Sequence, residues 1–245
     1  MSFDVQVANT VTQMREQGFA IIEGLISEER LRQAKQDADK FLEESPIQKQ
    51  GPRGPVNPRM CKDLFRRTRA FDDLYSIPVV LSVVEEVLGG ESNEHLREVW
   101  GGSIQFAYCM LKDVVPGEGP REFHQDDVLY PVPRPHKSIA VNTLLALDDF
   151  TEETGATLVV PKSHTWSEPV SQTPEYEVAE MPAGSLLLLD GAIWHNSGTN
   201  TTQAQYRRAL NTYYSSRWLR PLGGPYLGLT TTELEDLSPE LRAII

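Results

Sequence analysis

The sequence predicts a mainly β protein, a sandwich or jelly roll whose N-terminal helices buttress one outer face of a sheet. Three observations lead there. Apolar residues recur at helical spacing in the first third of the chain and change to strand-like runs from about Ser103. The later runs are short. They are separated by turn chemistry at Pro116-Gly117-Glu118-Gly119-Pro120, Glu152-Glu153-Thr154-Gly155, Pro182-Ala183-Gly184 and Gly198-Thr199-Asn200. Many short strands between regular turns fit a stacked antiparallel architecture. The 245 residues show no internal repeat, low-complexity block or linker, so one domain over 1–245 is expected. Within it, 1–100 would be helical support and 101–220 the jelly-roll core.

Phe19-Ala20-Ile21-Ile22 is a short apolar strand after Gly18. Ser27 then stands at an N-cap position, with Glu28 and Glu29 in the first turn, where the helix dipole favours acids. Leu31, Ala34, Ala38, Phe41 and Leu42 follow at helical spacing, and Pro46 ends the pattern. Residues 51–58 are rich in Pro and Gly and read as loop. Pro78 leads a second helix over Val79–Leu88, stopped by Gly89-Gly90. Strands are expected over Ile104–Met110, Ser138–Leu147, Ala156–Val160, Glu177–Ala179, Ser185–Leu189 and Arg208–Ser215.

Composition narrows the function. A formal net charge of -12 argues against nucleic acid or an anionic membrane as the main partner, since both need a basic face. No apolar run is long enough to span a bilayer, and no basic-then-apolar leader opens the sequence. Cys61 and Cys109 are the two cysteines, too few for a disulfide framework or a zinc ribbon, and a reducing cytoplasmic setting is expected. Oligomeric state is not legible.

The chemistry concentrates in Phe123-His124-Gln125-Asp126, Trp194-His195-Asn196 and Arg207. A His and an Asp one residue apart on a strand share a face. A distant His completes two imidazoles and one carboxylate, the facial set of non-haem Fe(II) oxygenases, which leaves metal positions open. The plainer alternative is a half-buried strand with an Asp beginning a turn, since Asp127 follows directly. His95, His136 and His164 have no partner at strand spacing. Of Arg207 and Arg208, one can face the cavity on a strand, and a guanidinium there suits the distal carboxylate of a co-substrate.

These segments, taken together, resemble the phytanoyl-CoA dioxygenase family of Fe(II)- and 2-oxoglutarate-dependent oxygenases. Gly18–Leu25 resembles the family's opening strand, and His124-Gln125-Asp126 its metal motif. Thr154–His164 resembles a third segment, with Thr154 where Asn is common and Lys162 where Gly is common. Pro182–Asp190 with His195-Asn196-Ser197-Gly198, and Arg207-Arg208-Ala209-Leu210-Asn211, match the last two. The resemblance implies a double-stranded β-helix (jelly-roll) core. It makes His124, Asp126 and His195 the iron ligands and the catalytic centre. Arg207 would clamp the 2-oxoglutarate C5 carboxylate, helped by Ser197, with Thr157 and Gln105 as further contacts. Members that halogenate lack the carboxylate ligand; Asp126 is present, so oxygen chemistry is implied, with Fe(II), 2-oxoglutarate and O2 as the reacting set. The implied activity is hydroxylation of a small organic molecule, plausible in specialised metabolism, with decarboxylation of 2-oxoglutarate to succinate and CO2. Desaturation, ring formation or endoperoxide insertion on the same iron is the alternative, and a non-catalytic jelly-roll binding module is the alternative outside enzymes.

For the substrate, Tyr108, Phe123, Trp194 and Trp218 are candidate pocket walls, and Asp127–His136, with Tyr130, a mouth loop. Core packing is the plainer role for each aromatic. Arg53, Arg59, Lys62, Arg66, Arg67 and Arg69 crowd a stretch where Asp63 is the one acid. That stretch is either a solvated basic patch or a lid in which Arg59 and Arg66 meet an anionic substrate.

Overall fold

Helix α1 (Phe3–Gln17) ends where Gly18 takes φ 84° and its N–H bonds the Met14 carbonyl at 2.9 Å. In this computed structural model, which describes residues 2–45, 59–89, 98–99, 102–120, 122–171, 174–224 and 227–245, the chain turns there directly into strand β1 (Phe19–Ile22). Helix α2 (Glu28–Glu43) is capped as its sequence requires: the Ser27 Oγ accepts from the Arg30 N–H at 3.2 Å. Strand β2 (Arg59–Lys62), short helices α3 (Leu64–Arg67) and α4 (Asp72–Tyr75), and helix α5 (Pro78–Gly89) complete the N-terminal part.

The strands that follow are β3 (Ile104–Val114), β4 (Ala140–Ala146), β5 (Thr157–Val159), β6 (Glu177–Ala179), β7 (Leu186–Asp190), β8 (His195–Ser197) and β9 (Arg207–Ser216). They form a six-stranded antiparallel sheet in the order β1-β7-β4-β9-β3-β2 and a three-stranded sheet in the order β6-β5-β8. Two stacked antiparallel sheets joined by crossing connections make the predicted jelly roll. Two short helices, Thr231–Glu235 and Pro239–Ala243, end the chain.

Alternation along the strands sorts their side chains into two layers. Val141, Leu145, Leu186, Leu188, Leu210, Tyr214, Cys109 and Leu111 point outward and pack with Val11 and Met14 of α1, Ala34, Ala38 and Leu42 of α2, and Val80, Val83 and Val84 of α5. The helices therefore cover one face of the larger sheet, as the sequence predicts. Leu144, Ala146, Leu187, Leu189 and Ala209 point inward and meet Val159, Ala179 and Ile193 from the smaller sheet side. Strand β4 is buried on both faces and accordingly reads as a near-continuous apolar run.

Two boundaries differ from expectation, both because of charge. Strand β2 lies just past the expected loop of 51–58, in a region expected to be mainly helical; it pairs with β3, and its Arg59 lies opposite Asp113. Strand β3 runs four residues beyond Met110, through Lys112 and Asp113. Asp113 is fully buried against the Arg59 guanidinium at 2.8 and 2.5 Å on the helix-covered face, while Lys112 points the other way. Charged residues in a buried strand hide it from a hydrophobicity pattern. The N-terminal region is also more than support, since β1 and β2 are the two edges of the larger sheet.

Gly18 is where this packing is tightest. A Cβ there would lie 2.5 Å from the His164 ring and 2.8 Å from Ile193, in a backbone region that L side chains rarely adopt. His164 itself is a structural clasp, its Nε2 lying 3.2 Å from the Arg15 carbonyl. Gly18→Ala should lower stability by about 1–3 kcal/mol, read as a lower denaturant midpoint with unchanged slope.

Candidate active site

The metal site starts from backbone pairing. His124 and His195 exchange N–H···O=C bonds, both 3.0 Å, which sets their rings side by side with centroids 4.4 Å apart. Asp126 follows on the same side, but the expected strand does not continue to it. The chain leaves the bridge at Gln125, whose amide donates to the Ala192 carbonyl at 2.5 Å, and enters a 3-10 turn over Asp126–Leu129. The backbone N–H groups of Asp126 and Asp127 both reach the Gly191 carbonyl, at 2.9 and 3.1 Å. The shared face that period two predicted thus arises from a bridge and a turn.

The three side chains fit a metal ion. Their ligand atoms all lie within 4.8 Å of one another. Asp126 Oδ1 is 3.7 Å from His124 Nε2, and Oδ2 is 3.5 Å from His195 Nε2, spans that an ion with bonds of about 2.0–2.2 Å bridges. Each imidazole has its Nδ1 next to the carbonyl two residues back: Glu122 O at 3.2 Å for His124, Ile193 O at 3.1 Å for His195. A proton on Nδ1 satisfies that bond and leaves the Nε2 lone pair facing the site. Burial, then the neighbouring His195, pushes His124 down to about 4, so the ring is neutral and able to ligate near neutral pH. The carboxylate is held from behind. Asn142 Nδ2 donates to Asp126 Oδ2 at 2.5 Å, and the Asn211 amide donates to both Asn142 Oδ1 and, at 2.9 Å, the Thr143 carbonyl.

A second group of polar residues lies further along the same inner face. Arg207 is buried at the start of β9, and its guanidinium carbon sits 4.3 Å above the Phe150 ring. Arg208 points the opposite way into Asp148, Asp39 and the helix layer, so the two arginines divide as strand alternation requires. Ser197 is buried and accepts from Lys112 Nζ at 2.9 Å. Thr157 stands directly opposite Ser197 in the smaller sheet. Lys112 was missed because a lone Lys in an apolar run carries no signal of its own. Its register opposite Ala209, one inward row from Arg207, places it on the same side.

Other predicted contacts lie elsewhere. Phe123 and Trp194 immediately precede the two His residues, so alternation turns them to the back of the smaller sheet, where they line a cleft of about 870 Å³ with Tyr176 and Leu158. Gln105 spends its amide on Ser215 Oγ and the carbonyls of Ser216 and Leu219. Trp218 is half exposed. Arg59 serves the buried Asp113, and Arg66 bonds the carbonyls of Gly223 and Gly224 at 3.0 and 2.7 Å. Arg67 meets Glu44 and Cys61, and Arg69 stacks on Phe65. The four described arginines of the basic stretch are thus tied into the fold, and none of these contacts is with the metal-ligand set; Arg53, with His95, lies outside the described residues. Tyr108 and Tyr130 do border the inner face, packed with Ala107, Ala140, Leu222 and a residue not foreseen, Tyr213. Tyr213 lies opposite Asn142, is nearly fully buried, and its hydroxyl has no hydrogen-bond partner among the described residues. Its signal was available: Arg207, Ala209, Asn211 and Tyr213 share one face at period two.

A jelly roll with two imidazoles and a carboxylate converging on one point, and the buried Arg207 and half-buried Lys112 along the same face, defines a non-haem iron, 2-oxoglutarate-dependent oxygenase. The chain belongs to the phytanoyl-CoA dioxygenase (PhyH) family, whose model matches residues 14–209. It is 35% identical over 135 residues to dioxygenase af480 of Aspergillus fumigatus; the match takes in 53% of this chain but only 43% of that protein. It is 27% identical over 254 residues to the iron/alpha-ketoglutarate-dependent dioxygenase ausU of Aspergillus calidoustus, covering 99% and 82% of the two chains. Its fold is similar to that of the non-haem alpha-ketoglutarate-dependent epimerase SnoN from nogalamycin biosynthesis, with a TM-score of 0.69, 16% identity and coverage of 86% and 81%. Among the described residues, no helix is long and apolar enough to cross a membrane.

Two outcomes check the site. His124→Ala, Asp126→Ala and His195→Ala should each abolish the visible band of the anaerobic Fe(II)–2-oxoglutarate complex, because three protein ligands leave no spare. Arg207→Ala should raise the 2-oxoglutarate KM at least tenfold, since removing one partner of a buried charge pair costs about 2–5 kcal/mol. Arg208→Ala should leave that KM within about twofold, a change of only a few tenths of a kcal/mol.

Proposed function

We propose that this enzyme hydroxylates a small, largely apolar organic molecule of specialised metabolism, coupled to conversion of 2-oxoglutarate to succinate and CO2. The observation that carries this reading is the complete donor set, with Asp126 present and held by Asn142, beside an inner wall of Tyr108, Tyr130, Tyr213 and Leu222. When bound, iron and 2-oxoglutarate supply the oxidising power that activates O2 against a substrate C–H bond.

The protein's own residues supply position. The carbonyls of Glu122 and Ile193 fix both imidazole tautomers, and the Asn211–Asn142 relay fixes the carboxylate. Arg207, Lys112 and Ser197, with Thr157 beside them, would hold the distal carboxylate of 2-oxoglutarate. The aromatic wall excludes water, and the Tyr213 hydroxyl offers a single donor inside it. A substrate with one oxygen acceptor on an apolar skeleton matches that wall. The names of relatives support the wider setting: ausU is an iron/alpha-ketoglutarate-dependent dioxygenase, and SnoN has been solved with Fe3+, alpha ketoglutarate and nogalamycin RO.

The test is a mass-spectrometric screen of small, largely apolar organic substrates with Fe(II), 2-oxoglutarate and O2. Hydroxylation predicts a product heavier by one oxygen atom, with one succinate formed per product. Loss of two hydrogens would replace hydroxylation by desaturation or ring formation, and gain of two oxygens by endoperoxide insertion. No succinate under any condition would leave a binding module.

A further inference from the structure

We infer that Arg134, Asp127 and His136 form a positioning cluster that sets the metal ligand Asp126 and ties the 127–136 mouth loop to metal occupancy. The inference rests on the metal reading of His124, Asp126 and His195.

Asp126 and Asp127 are consecutive, yet their carboxylates go opposite ways. Asp126 faces the other two ligands, while the Asp127 side chain is completely buried on the far side of the turn. Burying a carboxylate is costly unless cations and donors meet it. Arg134 meets it at Oδ1; Oδ2, 3.5 Å from His136 Nε2, has no hydrogen-bond partner among the described residues, so Arg134 carries the compensation. Arg134 Nη1 is also 3.3 Å from His136 Nε2, and His136 Nδ1 is 2.8 Å from the Lys137 carbonyl. With its proton on Nδ1, His136 accepts from Arg134, so one guanidinium joins both residues.

The turn has little room to settle elsewhere. Its two leading N–H groups share the Gly191 carbonyl, and the Gly191 N–H bonds Ala140 at 2.8 Å. A Cβ on Gly191 would lie 3.0 Å from the Asp127 Cβ and 3.0 Å from the Ala140 Cβ. Gly191 also opens the connection that carries His195. The loop is stitched again at Ser138, which donates to the buried Asp190, and at Tyr130, whose hydroxyl donates to the Arg220 carbonyl at 3.1 Å. Asp127 therefore joins the ligand turn, the connection to the distal ligand, and the loop bordering the aromatic wall. A shift of Asp126 on metal binding must pass into the loop, and loosening the loop must reach Asp126.

The test uses the full-length protein with Co(II) in place of Fe(II), so that affinity is read without turnover. Asp127→Asn keeps the shape and removes the charge, and Arg134→Gln removes the bridging cation. Both should weaken Co(II) binding by about tenfold or more, the usual cost of losing a partner that orients a metal ligand. Arg134→Lys should recover part of it. Chymotrypsin gives a second readout, because Leu129 is 66% exposed. Co(II) with 2-oxoglutarate should slow cleavage at Leu129–Tyr130 in the wild type and much less in the variants. A merely structural cluster would lower the melting temperature and leave Co(II) affinity unchanged. That result in either folded variant overturns the inference, as does wild-type cleavage indifferent to Co(II). A wild type that binds no Co(II) overturns the metal reading with it.

Discussion

Two backbone hydrogen bonds, between His124 and His195, hold this site together. They join the segment after β3 to the start of β8, two stretches some seventy residues apart, and they do so at the ligands themselves. Because paired residues present side chains to one face, the bridge brings both imidazoles inward without any contribution from the metal. The carboxylate then needs only a turn, which the Gly191 carbonyl nucleates. Donors gathered before the ion arrives lose little entropy on binding it, and a site built on sheet edges holds them more precisely than free loops would.

The same alternation decides what each charge does. In β9, Arg207 is inward and buried while Arg208 serves the helix layer through Asp148 and Asp39. In β3, Lys112 is inward beside Ser197 while Asp113 is outward beneath Arg59. Burial raises the cost of Asp148 ionisation, but the Arg208 hydrogen bonds outweigh it and hold the carboxyl below its ordinary range. An acidic protein thus keeps inward cations on the face that carries the metal-ligand set, and balances its outward cations with its own acids. The overall negative charge repels unselected anions, and a local pair of cations selects among those that enter.

Much of this was legible in the sequence, for definite reasons. Strands such as Glu177–Ala179 and β9 announced themselves through alternation and flanking turns. The Ser27 cap and the Pro78 start placed two helices to within a few residues. His124, Asp126 and His195 were readable because three ligand types at that spacing are rarely assembled for packing alone. What escaped depends on register between distant strands. Lys112, Asn142 and Tyr213 look ordinary until β3, β4 and β9 align. Phe123 and Trp194 misled for the opposite reason: neighbours of a ligand in sequence are on the wrong face of a strand. The basic run from Arg59 to Arg69 looked like one feature, yet its members go to a buried aspartate, loop carbonyls, a thiol and aromatic rings. A one-dimensional cluster of charge carries no information on the direction of each side chain.

The central claim is that one inner face holds both the metal and the distal carboxylate of 2-oxoglutarate. A crystal structure with Fe(II) and 2-oxoglutarate, grown without oxygen and phased for anomalous iron scattering, tests it most directly. The account predicts one iron peak bounded by His124 Nε2, His195 Nε2 and an Asp126 oxygen, with the co-substrate chelating it and its far carboxylate on Arg207, Lys112 and Ser197. Iron at that point with the far carboxylate turned toward Arg59, or an iron peak away from the three ligands, would contradict it.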